Sequence, residues 1–363
     1  MDNQQYYSPK EREEIEKGTA DLEAFLAQMG QPNTITTTTP TAEMNDLLDA
    51  YQERLIDNVK DADLYQDINV VPFMSAKMKA VIDWFDLRFT VDPMQCTFYN
   101  DPKARSYIKS FITRHTGTRH YVATDESDIS QDGASFTIRL HDIRNAKELG
   151  KITGLLHSQY GANVEMMTIE AIELSFDLYG GNSLAMVIKL HKAMQYPQTA
   201  RLFRVYKTTR KDIPTSVGKL YELIEDGYNI GVGDHRFDEF CVRTYFKRTD
   251  KGGKSLPQEE HRARIEVTLK ASVFDKEQVD RSITNLKQVI ASGFKKMQFT
   301  KLSRRSTKYE KDTYYTQVQA FGKEQPEALS QSRHKRTLPD SIEVYGDFNE
   351  AKRTAVKALV KRF

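Results

Sequence analysis

Cysteine, tryptophan and long apolar runs are scarce in this chain of 363 residues, which contains two cysteines and one tryptophan. The cysteines, Cys96 and Cys241, provide no disulfide framework and do not have the spacing of a zinc site. No apolar run is long enough to span a bilayer, and the acidic, polar N-terminus does not resemble a signal peptide. We therefore expect a protein of the reducing cytoplasm that has no membrane partner.

An excess of one charge is also missing, because 53 Lys and Arg residues against 51 Asp and Glu residues give a net charge of +2. Net charge alone therefore does not indicate a nucleic-acid partner, but the charge is unevenly distributed. The first 67 residues are acidic on balance, whereas residues 201–210, 295–311 and 333–363 are basic. The sequence has no Walker loop, no Gly-x-Gly-x-x-Gly motif after a strand and no zinc-finger spacing.

The apolar spacing divides the chain into three parts. Residues 1–69 are predicted to form a polar, partly helical N-terminal extension. Residues 70–275 alternate between strand and helix patterns, which predicts an α+β catalytic domain, an antiparallel sheet with helices packed on it. Residues 276–363 are predicted to be a helical, basic C-terminal region that binds DNA. It begins in a long helix predicted over 275–299.

The last predicted helix, over residues 349–363, leaves two alternatives open. Its lysines and arginines suit contacts with phosphate groups. Alternatively, the stripe of Ala355, Leu359 and Phe363 packs on the core and the helix only stabilises the fold.

Three segments with a period of two carry the residues that suit chemistry: 168–179, 241–250 and 262–270. Each has an apolar face that can be buried and a polar face. The polar faces together carry Glu173, Ser175, Asp177, Arg243, Tyr245, Lys247, Arg264 and Glu266. If the segments are neighbours in one sheet, these side chains converge.

Carboxylates that converge in this way suit a hard divalent cation, Mg²⁺ or Mn²⁺, and a nearby hydroxyl and lysine suit attack on a phosphate. The alternative is that these residues form the solvent face of a half-exposed antiparallel sheet, where such residues are ordinary.

The succession IELSFDLYG, VRTYFKRTD and HRARIEVTLK resembles the core of rolling-circle replication initiators of the Rep_trans type, found in plasmids, integrative elements and filamentous phages. VIDWFDLRFTV resembles their early strand, so the resemblance covers about residues 80 to 275. It implies a site-specific endonuclease whose tyrosine attacks a DNA phosphodiester with a divalent metal, leaving a 5′-phosphotyrosine link. The sequence departs from related initiators because none of its eight histidines forms a His-hydrophobic-His motif.

By motif position, the resemblance implies that Tyr245 is the nucleophile and that the metal ligands are Glu173, Asp177 and Glu266. Lys247 is expected to stabilise the phenolate or to bind a phosphate oxygen. Arg243 and Arg264 are expected to hold the DNA backbone. The expected partners are origin DNA, both duplex and single-stranded, and a host helicase, and a homodimer stays open.

A second tyrosine next to a lysine occurs at Tyr206 and Lys207, with Arg204 on the same strand face as Tyr206. We prefer Tyr245 as the nucleophile because Tyr206 has no nearby partner strand like Arg264–Glu266. Arg204, Tyr206 and Lys207 are instead predicted to contact DNA by phosphate binding and base stacking, unless they form an exposed basic strand edge.

Three further choices stay open at this stage. Asp83 and Asp86 are candidate members of the site that rank below Glu173 and Asp177. A conjugative relaxase would share the nicking chemistry. A non-enzymatic DNA-binding protein would use the same sheet and basic tail without cutting.

Overall fold

Strands with alternating apolar residues form the centre of the computed structural model. The structure describes residues 73–130, 133–180, 183–195, 203–214, 216–234, 238–250, 253–316, 318 and 341–363. The N-terminal extension predicted over residues 1–69 lies outside the described residues.

The strands of the described residues form one large sheet and one small one. They are β1 Lys77–Thr90, β2 Tyr121–Ser130, β3 Gly133–His141, β4 Thr168–Tyr179, β5 Phe203–Tyr206, β6 Arg210–Lys211, β7 Asn229–Val232, β8 Phe240–Lys247, β9 Arg262–Lys270, β10 Thr300–Leu302 and β11 Ile342–Val344. The large sheet has the order β2-β3-β1-β4-β9-β8-β7-β5-β6, and β10 pairs with β11. All neighbouring strands are antiparallel, which confirms the predicted sheet.

Helices alternate with these strands along the chain, so the fold is α+β, as predicted. They are α1 Ala104–Thr116, α2 Ala146–Tyr160, α3 Ser183–Ala193, α4 Val217–Glu225, α5 Ala271–Lys276, α6 Leu286–Lys295, α7 Lys308–Thr316 and α8 Gly346–Val360. The start of α2 follows from its sequence, because the Asn145 side chain accepts a hydrogen bond from the Glu148 backbone N–H at 3.0 Å. Among the described residues, no helix combines the length and the apolar composition that a bilayer crossing requires.

An aromatic cluster joins the C-terminal helix α8 to the apolar face of the large sheet. The ring of Phe348 stacks on Phe73 with centroids 4.3 Å apart, and it lies 4.7 Å from Phe299 and 5.8 Å from Phe176. All four rings are fully buried. Burial of each such side chain contributes about 1.5–3 kcal/mol relative to exposure.

Helix α6 approaches the same face closely at Gly293. A Cβ atom at this position would lie 2.4 Å from Cδ1 of Leu174 on β4 and 3.0 Å from Cδ1 of Leu269 on β9. Any larger residue at this position would therefore force the Leu174 and Leu269 side chains to shift within a closely packed core.

The long helix predicted over residues 275–299 is wrong, because α5 ends at Lys276 and α6 begins at Leu286. Local and tertiary hydrogen bonds compete with the helix in between. The Asp280 carboxylate accepts from the backbone N–H and the hydroxyl of Ser282 at 2.9 and 2.8 Å. The Ile283 N–H donates to the carbonyl of Met167, and the Ile169 N–H donates to that of Arg281, which ties this segment to the start of β4.

The C-terminal helix α8 packs on the core through Phe348 and Leu359, which are 0 % and 2 % exposed. The partly buried Ala355 and Phe363 also pack against the core. The contacts that the second alternative predicts, in which Ala355, Leu359 and Phe363 pack on the core, are therefore present. DNA binding by residues 276–363, and the division at residue 275, stay predictions.

Candidate active site

The sheet order brings the three predicted polar faces together, because β4, β9 and β8 are neighbours. One row of directly opposed residues runs Ser175, Glu266 and Arg243 across the three strands. The next row runs Asp177, Arg264 and Tyr245. Residues that are distant in sequence therefore meet on one face of the sheet, opposite the buried apolar face.

A β-bulge in β1 adds Asp83 to this face. The pairing of β1 with β4 shifts register between Ile82 and Trp84, so Asp83 is an extra residue. The bulge changes which residues face the core: Ile82 is buried before it and Phe85 after it. Strict alternation over residues 80–91 does not predict this change, and the sequence analysis ranked Asp83, with Asp86, below Glu173 and Asp177.

Asp83, Glu173 and Glu266 form a carboxylate cluster in which one oxygen of each residue lies within 4.8 Å of the others. This separation and the oxygen donors suit a hard divalent cation, so the three residues fit the group that the resemblance implies. Two of them are predicted ligands, and Asp83 takes the position that the sequence assigned to Asp177.

Asp177 is instead surrounded by guanidinium groups. Its two oxygens accept from Nε and Nη2 of Arg264 at 2.5 and 2.7 Å, and Nε of Arg262 lies 3.1 Å away. The carboxylate is fully buried, and both of its oxygens face these arginines. That Asp177 binds metal stays a prediction, and its described contacts are those of a buried ion pair.

Arg264 also holds Asp83, because its Nη1 lies 2.8 and 2.9 Å from the two Asp83 oxygens. The arginine is 2 % exposed. The sequence predicted that Arg264 contacts the DNA backbone, whereas in the structure it lies beneath the carboxylates and orients two of them.

Tyr245 and Arg243 both contact Glu266. The Tyr245 hydroxyl donates to Oε1 of Glu266 at 2.7 Å, and Nε of Arg243 donates to Oε2 at 2.5 Å. The Arg243 guanidinium lies 5.1 Å from the centre of the Tyr245 ring, and its side chain is 39 % exposed. Arg243 therefore holds the carboxylate that accepts the hydrogen bond of the Tyr245 hydroxyl, and it also reaches the surface.

The electrostatics of the site follow from buried, closely spaced charges. Burial, followed by the charge of Glu266, raises the pKa of Glu173 to about 7. Burial would also raise the pKa of Asp83, but Arg264, Ser175 and Lys247 together lower it. The cluster therefore contains both an ionised carboxylate and one that is easily protonated.

The pKa values of Tyr245 and Lys247, the groups that the sequence analysis expects to act on phosphorus, are shifted as well. Burial and then Glu266 raise the pKa of Tyr245, so the phenol holds its proton at neutral pH. Burial and then Arg264 lower the pKa of Lys247. The tyrosine consequently needs a base or a cation to become a nucleophile, and Glu266 is the base in contact with it.

Tyr206 lies on the same face, two strands beyond Tyr245. Its ring extends over Gly231 on β7, where an added Cβ would lie 2.7 Å from the ring. Burial raises the pKa of Tyr206. The positive charge of Arg243 lowers this pKa, and the negative charges of Glu266 and Glu173 raise it. Tyr206 is therefore part of the surroundings of the site and not only an edge residue.

The other two residues of this predicted DNA surface have different positions. The Arg204 guanidinium lies 5.0 Å from the centre of the Tyr206 ring and donates to the carbonyl of Gly233. Lys207 is exposed and donates to the carbonyl of Asp226 at 2.9 Å. Their contacts with DNA stay predictions.

Asp86, the other low-ranked aspartate, does not belong to the carboxylate cluster. Its two oxygens each accept from Arg139 at 2.7 Å. The acidic residue of the early strand that joins the cluster is thus Asp83.

No protein-family model matches the sequence, and no curated protein matches it. A solved structure of a rolling circle replication initiator protein from Geobacillus stearothermophilus has a TM-score of 0.30 and 12% identity, over 64% of this chain and 90% of that chain. An aspartate kinase from Synechocystis has a TM-score of 0.18 and 7% identity, over 62% of this chain and 46% of that chain. Likenesses with TM-scores this low carry no argument about fold or function.

Proposed function

We propose that this protein is a replication initiation protein that cuts one DNA strand with Tyr245 as the nucleophile. One observation carries the proposal: the Tyr245 hydroxyl donates at 2.7 Å to Glu266, which belongs to a cluster of three carboxylates suited to a divalent cation. Initiation at an origin, as distinct from cutting in general, depends on the resemblance of residues 80 to 275 to rolling-circle initiators.

In the proposed reaction, the Tyr245 oxygen bonds to the phosphorus of a DNA phosphodiester. The bond from phosphorus to the 3′ oxygen breaks, and the products are a 5′-phosphotyrosine link and a free 3′ hydroxyl. Glu266 accepts the phenolic proton, and the leaving 3′ oxygen takes up a proton from solvent water. The link keeps the energy of the broken phosphodiester, so a later 3′ hydroxyl can reverse the step.

Mg²⁺ or Mn²⁺ held by Asp83, Glu173 and Glu266 would neutralise negative charge on the scissile phosphate. Lys247, on the same strand face as Tyr245, supplies a further positive charge for the phosphate or the phenolate. Arg264 is a positioning residue in this scheme, because it fixes the Asp83 carboxylate from below. Arg243 has the exposure needed to contact the DNA backbone as well.

The test is a search for a covalent adduct between the protein and single-stranded oligonucleotides from the parent element, with Mg²⁺ or Mn²⁺. We expect the adduct to disappear in EDTA, to return with the metal and to be absent in Tyr245→Phe. Tyr206→Phe is the matched control, because its tyrosine lies on the same face and carries the same substitution. An adduct that persists in Tyr245→Phe and is lost in Tyr206→Phe would contradict the assignment.

The carboxylates give a second test. We expect Asp83→Asn to abolish cutting, whereas Asp275→Asn, whose carboxylate pairs with Arg281, should leave cutting in place. Retained cutting in Asp83→Asn, Glu173→Gln and Glu266→Gln together would refute a carboxylate-held metal.

A non-enzymatic DNA-binding protein is the second candidate, and one observation favours it. Arg243 and Arg264 already pair with the carboxylates, so the network is largely neutralised without a cation. This candidate predicts DNA binding whose affinity falls with salt, no adduct under any metal condition, and no effect of EDTA. A relaxase would give the same adduct as an initiator, and only replication of the parent element separates those two. A host helicase and a homodimer stay proposals.

A further inference from the structure

Beside the carboxylate cluster, the polar face carries a patch of three residues to which the sequence assigned no role: Tyr121 on β2, Arg139 on β3 and Trp84 on β1. Trp84 lies directly opposite Glu173, and Tyr121 lies directly opposite Arg139. The patch therefore adjoins the cluster on the side away from Tyr206. We call these three residues the aromatic platform.

The orientation of Arg139 makes the platform flat and cationic. Its Nε and Nη2 donate to the two oxygens of Asp86, so the guanidinium plane is fixed from its edge. The guanidinium carbon lies 3.8 Å from the centre of the Trp84 ring, so one side of the plane rests on the indole. The Arg139 side chain remains 37 % exposed, which leaves area above it for a flat ligand.

Tyr121 extends this surface. It is 61 % exposed, which is unusual for a large aromatic side chain on a folded sheet. A fixed guanidinium plane beside an exposed phenol is the combination on which unpaired nucleic-acid bases stack. A duplex offers its base faces only at its ends, so the chemistry selects a single strand.

We propose that the aromatic platform binds single-stranded DNA next to the carboxylate cluster. About two adjacent bases stack on Arg139 and Tyr121. This inference deepens the proposed function, because it identifies a binding site for the strand that flanks the bond cut by Tyr245. Binding at the platform needs neither the metal nor the covalent step, so the two proposals can fail separately.

The experiment uses the full chain in EDTA and the fluorescence of Trp84, the one tryptophan in the sequence. The probes are a short oligo-dT and an oligonucleotide of the same length and charge that lacks bases. We expect oligo-dT to change the Trp84 emission and to bind roughly tenfold or more tightly than the abasic probe, since stacking is worth about 1–3 kcal/mol per base.

Two variants sharpen the test. Tyr121→Ala should weaken oligo-dT binding roughly tenfold and leave abasic binding unchanged. Tyr107→Ala, at an exposed tyrosine on α1, is the matched control and should leave both affinities unchanged. Arg139→Lys keeps the charge without the planar group, so it should also lose the preference for bases, with thermal melting as the check on its fold.

Equal affinity for the two probes, or an unchanged affinity in Tyr121→Ala, would overturn the platform. No nucleic-acid binding at all would overturn it as well. An emission change with a preference for bases, but no covalent adduct when metal is added, would support the platform and contradict the nuclease.

Discussion

The two faces of the large sheet are stabilised by different interactions, although the same strands form both faces. On the apolar face, Phe176 on β4 packs against Phe299 and Phe348, and fit decides which side chain is tolerated. On the polar face, charges pair across neighbouring strands: Asp177 of β4 with Arg264 of β9, and Glu266 of β9 with Arg243 of β8. The first face is held mainly by the packing of apolar side chains, and the second by pairs of buried charges.

This difference shows why the polar face is the candidate site. Buried charge pairs contribute little net stability compared with well-packed apolar residues. The polar face buries four charged side chains that are each less than a tenth exposed: Arg262, Arg264, Asp177 and Glu266. Stabilising the fold therefore does not by itself account for these charges. The raised pKa of Glu173 and the lowered pKa of Asp83 belong to this face, and such perturbed pKa values are typical of functional sites.

The largest effect is expected from Phe348→Ala on the apolar face. Removing a fully buried ring that contacts three other phenylalanines should cost about 3–5 kcal/mol, measured by urea unfolding. Tyr309→Ala, at a side chain that is 79 % exposed, should change stability by less than about 0.5 kcal/mol. A small loss in Phe348→Ala would mean that α8 does not support the core.

Arg264→Met should destabilise the fold by removing a buried positive charge from the polar face. It should cost about 3 kcal/mol or more, because Asp83 and Asp177 lose their shared buried partner. The double variant Asp177→Leu/Arg264→Met should regain part of this loss, because it removes one of the two uncompensated carboxylates. A double variant no more stable than Arg264→Met would show that the guanidinium contributes packing and not charge balance.

Glu173→Gln tests the pH dependence of the polar face. The folded-state pKa of Glu173 is about 7, above its ordinary value of 4.5, so folding favours the protonated form. The wild-type chain should therefore lose up to about 3 kcal/mol of stability, relative to the variant, as pH rises from 4.5 through 7. Melting curves of both proteins across this range measure the difference, and Mn²⁺ should reduce it if the cluster binds the cation.

Lys352→Met is the counterpart on the apolar side, where Lys352 of α8 is 3 % exposed and donates to the carbonyl of Phe294 at 3.1 Å. Burial lowers its pKa from 10.5 to about 8, so folding favours the neutral amine. The wild-type chain should gain up to about 3 kcal/mol relative to the variant as pH rises from 8 to 10.5. A wild-type gain smaller than about 0.5 kcal/mol would show that Lys352 keeps its charge in the fold.

Much of the sheet was predictable because period-two alternation is a local property. The segment predicted over 262–270 is β9, and that over 168–179 is β4, residue for residue. The helix over 275–299 was not predictable, because the hydrogen bonds that interrupt it come partly from Met167 and Ile169, more than a hundred residues earlier. Apolar spacing continues through Asp280 and Ser282 without showing that the helix stops there.

The sequence by itself determined which residues of β4, β8 and β9 share a polar face, because alternation fixes the direction of each side chain within a strand. It therefore identified Tyr245, Glu173 and Glu266 as residues that meet if the strands are neighbours. Only the tertiary structure decided which carboxylates form the cluster and which one pairs with arginines. The bulge in β1 directs Asp83 into the cluster, and the register of β4 against β9 sets Asp177 opposite Arg264. Register and bulges are properties of strand pairs, so no single strand encodes them.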